Sequence, residues 1–122
     1  MNAENLMQRL ADVINGHRWD ELPGLLAPDF LCRYVHTGEK FDREAWVQVN
    51  ADYPGFQNFV LEDCVTSGER AVGRAHVTGL NDGELEQFGV ATFITVRNGL
   101  IVDLTEVWTD INAGPPGDRR PQ

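Results

Sequence analysis

One carboxylate stands where a stable core would place an aliphatic side chain. Between Ala91 and Asp110 two arms rich in β-branched residues flank Arg97-Asn98-Gly99. Asn-Gly between such arms is a strong hairpin signal. Along the second arm, alternation puts Leu100, Val102, Leu104, Glu106 and Trp108 on one face and Ile101, Asp103, Thr105 and Val107 on the other. The first face is apolar except for Glu106. A carboxylate there costs several kcal/mol unless it is paired, hydrogen-bonded or facing a wet cavity. In a pocket, such an acid could move a proton to or from a carbon acid. The competing expectation is a structural ion pair with Arg74.

Tyr34 and His36 come next. The run Phe30–His36 reads as a strand with Phe30, Cys32, Tyr34 and His36 on one face. A phenol there can donate a hydrogen bond to a substrate carbonyl, and a nearby imidazole can carry protons near neutral pH. The plainer alternatives are a core aromatic with a satisfied hydroxyl and a solvated residue at a strand end. Arg74 and His76 share a face with Val72 and Thr78, opposite the small residues Ala71, Gly73, Ala75, Val77 and Gly79. Periodicity does not decide which of these faces is interior, so both residues are pocket candidates or plain surface. A metal set of His36, His76 and Glu106 has no spacing motif behind it, and neither a metal nor a cofactor is expected. Trp46, Tyr53 and Trp108 are large aromatics that would favour a flat, apolar ligand if they line a cavity.

The elements that must hold these residues follow from the rest of the chain. Leu6, Met7, Leu10, Val13 and Ile14 form one helical stripe that ends at Asn15-Gly16. A shorter helix is expected from Asp20, with Pro23 in its first turn and Pro28 as its stop. A third runs from Asp42 to Asp52, capped by Asp42 and stapled by Phe41 and Trp46. Strands are expected over 59–66, 70–80, 85–96 and 100–109, as an antiparallel meander. Residues 1–113 make one α+β domain, followed by an irregular Pro- and Gly-rich tail over 114–122.

The chain has 122 residues and a formal net charge of −9, which disfavours nucleic acid and anionic membranes as partners. No apolar run approaches the roughly 20 residues of a membrane span, and the N-terminus lacks the features of a signal peptide. Cys32 and Cys64 fit no metal or redox spacing and read as reduced thiols. A cytoplasmic protein is expected.

Three segments then carry a family likeness: Asn15-Gly16-His17-Arg18-Trp19-Asp20, Tyr53-Pro54-Gly55, and Gly99-Leu100-Ile101-Val102 leading into Thr105-Glu106-Val107-Trp108-Thr109-Asp110. With their order and spacing, the chain resembles the SnoaL-like branch of the nuclear transport factor 2-like superfamily. The resemblance implies a cone of curved antiparallel sheet wrapped around about three N-terminal helices, with a ligand pocket at its mouth. It also implies a homodimer. Its members include ketosteroid isomerases, polyketide cyclases, epoxide hydrolases, dehydratases and non-catalytic binding proteins. The isomerase positions for a Tyr, a base and a second Asp fall on Leu10, Tyr34 and Thr92, so that chemistry is not expected. No Asp-Arg-Asp set for an epoxide hydrolase is apparent, and no surface specifies the partners of a nuclear transport factor. Glu106, Tyr34 and His36 are the expected catalytic residues, with Trp46, Tyr53, Arg74, His76, Thr92 and Trp108 around the ligand. The expected function is a cofactor-independent lyase, isomerase or cyclase acting on a small, mostly apolar molecule. A non-catalytic small-molecule binder or a dimerisation module of the same fold are the alternatives.

Overall fold

The first apolar stripe becomes the buried face of helix α1 (Ala3–Asn15) in a computed structural model that describes residues 1–112. The Asn2 side chain caps α1 by accepting from the Asn5 amide at 2.8 Å. A second α-helix does not form after Asp20. Leu22–Leu25 is a 3₁₀ turn, because only four residues with Pro23 near their start separate Glu21 from the next strand. Its threefold period lets Leu22 and Leu25 bury together. The described residues therefore hold two α-helices rather than three.

Strand β1 (Leu26–Tyr34) begins earlier than its sequence suggested and contains Pro28. The register of β1 shifts between Leu26 and Leu31, so Pro28 lies where the ladder is already interrupted. A short edge strand β2 (Lys40–Asp42) pairs antiparallel with β1, and it leads directly into α2 (Arg43–Ala51). Asp42 serves both elements. It ends the strand, and its carboxylate accepts from the Ala45 amide at 2.8 Å. Trp46, at the staple position opposite Phe41, is fully buried.

The remaining strands are β3 (Phe56–Ser67), β4 (Arg70–Asn81), β5 (Glu84–Arg97) and β6 (Leu100–Asp110). They form the expected meander, and Asn98 and Gly99 both adopt positive φ, 53° and 76°, in the last turn. The sheet order is β2-β1-β6-β5-β4-β3. Since β1 runs parallel to β6, the sheet is mixed rather than antiparallel throughout. That pairing is the step that brings the N-terminal half of the chain against the final hairpin. Both helices pack on one face of the sheet, α1 across β3, β4 and β5 and α2 across β1. Gly73 allows the approach of α1, because a β-carbon there would lie 2.7 Å from Met7 Sδ and 2.8 Å from Leu61 Cδ1.

The strict alternation expected along β6 fails at one point. The β5–β6 register shifts between Thr95 and Val96, which face Asp103 and Ile101 and leave Val102 as an extra residue. A bulge reverses the alternation before it. Ile101, placed on the outer face by simple alternation, is fully buried, while Leu104, Glu106 and Trp108 keep the inner face. The tail assigned to 114–122 lies outside the described residues. Within them, no helix is long and apolar enough to cross a membrane.

The cap on α2 gives a direct check of this architecture. Asp42→Ala removes the hydrogen bond to Ala45 and should lower unfolding stability by about 0.5–2 kcal/mol in denaturant titration. Asp42→Asn, which keeps an accepting oxygen, should recover most of that loss.

Candidate functional site

Three strands converge at Glu106. It faces Tyr34 across the parallel β1–β6 pair and Thr92 across the antiparallel β5–β6 pair. All three side chains project to the helix-covered side, so they form one row across neighbouring strands about 4.8 Å apart. Trp108 lies two residues further along the same face of β6.

Glu106 is 3% exposed. Its Oε2 accepts from Thr92 Oγ1 at 3.1 Å, and its Oε1 accepts from Trp108 Nε1 at 3.1 Å. Among the described residues no cation reaches it. Arg74, the partner expected in a structural ion pair, lies on the outer face and binds Glu62 at 2.7 Å. Burial therefore pushes the Glu106 pKa up to about 7, against the opposing pull of the hydrogen bonds from Trp108 and Thr92. The two donors differ in kind. An indole N–H can only donate, whereas the Thr92 hydroxyl can reverse and accept from a protonated Glu106. The pair can thus accommodate either state of the acid near neutral pH.

Tyr34 stands beside this acid. Its hydroxyl oxygen accepts from Trp46 Nε1 at 3.1 Å, which leaves its own proton free to donate elsewhere. Burial first, and then the neighbouring Glu106, raise the Tyr34 pKa far above that of a free phenol. Tyr34 is consequently a neutral donor at any physiological pH. The His36 ring stacks on the Tyr34 ring with centroids 5.3 Å apart, and it lies 6.4 Å from the Trp108 ring.

These groups open on a cavity of about 110 Å³ between the helices and the sheet. Tyr34, Glu106 and Trp108 form part of its inner wall. Ile14, Val49, Asn50, Phe56, Phe59, Val77 and Phe88 line it further, while His36, Tyr53, Pro54 and Glu86 surround the opening. The wall is aromatic and aliphatic apart from a few polar groups, and among the described residues it includes neither lysine nor arginine.

The expected residues divide accordingly. Glu106, Tyr34, His36, Tyr53 and Trp108 border the one cavity, with Tyr53 62% exposed at its edge. Thr92, 1% exposed, stands behind Glu106 as its hydrogen-bond partner rather than against the space itself. Trp46 does not line the cavity. It is fully buried beside Phe30, ring centroids 5.4 Å apart, and supports Tyr34 from behind. Arg74 and His76 belong to the outer face of β4, where His76 contacts Gln87 at 3.0 Å. The inner face of β4 is the small-residue face that α1 requires. The His36, His76 and Glu106 set is therefore not assembled, and no metal-binding group of three or more His, Cys, Asp or Glu occurs among the described residues. Phe59, Phe88, Asn50 and Glu86 were missed in sequence. Phe59 and Phe88 carried the signal of inward aromatics on long strands, whereas nothing local marked Asn50 or Glu86.

The sequence profile of the SnoaL-like domain matches residues 7–104. No curated protein matches the chain in sequence. Among solved structures, a candidate ketosteroid isomerase from Kribbella flavida DSM 17836 is 28% identical with a TM-score of 0.79, over 94% of this chain and 83% of its own. A candidate SnoaL-like polyketide cyclase from Jannaschia sp. CCS1 is 22% identical with a TM-score of 0.75, over 91% and 92%. An epoxide hydrolase of the LEH-like type from M. tuberculosis is 12% identical with a TM-score of 0.73, over 86% and 80%. At the lower identities the likeness is one of fold alone. The profile match ends two residues before Glu106, so the role of that acid rests on its surroundings in this molecule.

Those surroundings have a thermodynamic consequence. The folded pKa of Glu106 lies above its ordinary value of 4.5, so the folded state holds the proton more tightly than the unfolded chain does. Its contribution is fully favourable below 4.5 and is lost as pH rises through about 7, where ionisation costs about 3 kcal/mol. Glu106→Gln keeps an acceptor for Trp108 and a donor for Thr92 without the charge. The variant should therefore melt higher than the parent at about pH 8 and nearly level with it at about pH 5 in parallel thermal scans.

Proposed function

The chain belongs to the SnoaL-like domain family of the nuclear transport factor 2-like superfamily, and from that premise we propose that it is a cofactor-independent enzyme of proton transfer at carbon. Its substrate is a small, mostly apolar carbonyl compound, and the reaction is of the lyase, isomerase or cyclase type. The observation that carries this reading is a buried carboxylate that meets no counter-ion among the described residues, beside a neutral phenol, at the wall of an apolar cavity. Stability alone would favour an aliphatic residue at 106.

In this mechanism Glu106 takes a proton from the carbon next to the carbonyl. The C–H electron pair moves into the carbon–carbon bond, and charge collects on the carbonyl oxygen, where the Tyr34 hydroxyl donates to it. The protonated Glu106 returns its proton to another carbon or to a leaving hydroxyl. Thr92 reverses its hydrogen bond as the acid changes state. A pKa near 7 suits an acid that must accept and then release a proton at neutral pH. Ketosteroid isomerase chemistry in its usual form is not part of the reading, because Leu10, Tyr34 and Thr92 stand at that enzyme's three positions. His36, exposed at the rim, can pass protons between the cavity and solvent.

A non-catalytic binding protein is the second reading. It is favoured by one observation, that both Glu106 oxygens and the Tyr34 oxygen already have protein partners. A pure dimerisation module is less well supported, since it calls for a filled interior. Exposed Val60, Val65, Phe93 and Val107 nevertheless support self-association as a property of the same protein.

Deuterium exchange separates the first two. A panel of small ketones and aldehydes incubated with the protein in D₂O should include compounds that exchange hydrogen at the α-carbon, followed by NMR. Glu106→Gln should bind the same compounds and lose exchange by about 100-fold or more, and Tyr34→Phe should slow it about 100-fold. Binding without exchange across the panel would assign the protein to the non-catalytic reading. Tyr34→Phe also leaves the Trp46 indole without its acceptor, so rates must be taken on the folded fraction.

A further inference from the structure

The charge of the ligand can be read from what surrounds Glu106. Among the described residues no cation reaches the buried acid, and its two donors, Thr92 and Trp108, are neutral. A second carboxylate, Glu86, stands at the opening. Among the described residues the lining holds no lysine or arginine, and the protein as a whole carries −9. An anionic ligand would meet two carboxylates and find no compensating charge, in a space where interactions are weakly screened. A neutral ligand would displace water from an acid that already lacks a counter-ion, which makes ionised Glu106 still less favourable. A cation alone among the three supplies what this site lacks.

The rest of the wall suits a cation of a particular kind. Tyr34, Tyr53, Phe56, Phe59, Phe88 and Trp108 surround the space with aromatic rings. Ring faces attract cations, and they do so most strongly for alkylated ammonium groups that shed little hydration on entering. At about 110 Å³ the space is also smaller than the roughly 150 Å³ cavity that takes up benzene in an engineered protein core. It is thus suited to a compact head group together with the carbon and carbonyl beside it, with any longer remainder of the molecule reaching out past Tyr53 and Glu86.

We propose that this cavity receives the cationic amine head of its ligand, an alkylated ammonium group held between Glu106 and the aromatic walls. The inference rests on the reading of the cavity as the ligand site and narrows the class of molecule it takes.

The groups that face Glu106 set the expected pH dependence. From β1 come Tyr34, His36 and Cys32, from β5 Thr92 and, at the opening, Glu86, and from β6 Trp108. The helices present Ile14, Val49 and Asn50, none of them ionisable. Tyr34 and Cys32 are both pushed upward by burial and stay neutral, and His36 and Glu86 lie exposed at the opening, so Glu106→Gln compared with the parent at a single pH isolates the contribution of the buried acid.

The test compares choline with two probes of the same shape, the neutral alcohol in which carbon replaces nitrogen and the anion tert-butylacetate. Binding is followed by calorimetry and by the NMR resonance of the Trp108 indole N–H. At about pH 8 choline should bind about tenfold tighter than the neutral alcohol, and tert-butylacetate should not bind. That preference should shrink at about pH 5.5 and in Glu106→Gln, while binding of the neutral alcohol persists in both. Equal or tighter binding of the neutral probe at the higher pH would overturn the inference and leave the cavity reading intact. So would binding of the anion, or a choline preference undiminished in Glu106→Gln. If none of the three perturbs Trp108, the reading of the cavity as a ligand site falls, and this inference falls with it.

Discussion

The energetics of this molecule turn on a carboxylate that has left water without acquiring a positive partner among the described residues. Glu106 has two neutral hydrogen bonds, and those bonds reduce the desolvation of the ionised form without abolishing it. A nearby arginine would have held the acid ionised and made it a weak base. Apolar surroundings with no donors would have kept it protonated well past neutrality. The arrangement present here lies between these limits, and the position of the pKa follows from that balance.

Holding the acid in this state requires three strands in one register. Tyr34, Glu106 and Thr92 come from β1, β6 and β5, and they meet only because β1 runs parallel to β6. Trp46 on α2 then fixes the Tyr34 oxygen from behind, and Phe30 packs on Trp46 in turn. The Asp42 cap and the Phe41 staple set where α2 begins, so the orientation of the phenol depends on local chemistry several residues away. The bulge at Val102 has a comparable effect on β6. It buries Ile101 and still leaves Glu106 facing inward.

The site is a liability that the rest of the core must offset. Ionised Glu106 opposes folding, and the space beside it forgoes packing that a filled core would have. Opposite it, the sheet and α1 are closely packed through Met7, Leu10, Ala71, Gly73 and Ala75. The core is thus divided, dense at one end and open at the other.

Much of this was legible in the sequence because it depends on local rules. Helix α1, the capped start of α2, the Asn98-Gly99 turn and the meander of long strands follow from apolar periodicity, capping residues and turn chemistry, each acting within a few positions. The isolation of Glu106 on an apolar face was legible for the same reason. Alternation could not say which face of β4 is interior, since Arg74 and His76 compete with small residues for it, and only the approach of α1 at Gly73 excludes the larger side chains. Nor could it foresee the bulge at Val102, the absence of an α-helix after Asp20, or the burial of Trp46 behind the cavity rather than within it. Those depend on register between strands far apart in sequence, above all the parallel pairing of β1 with β6. The sequence by itself determined which residues could act as acid, donor and wall. Tertiary structure alone decided which of them share one space, because that is fixed by hydrogen-bonded ladders and close packing between segments that no local pattern connects.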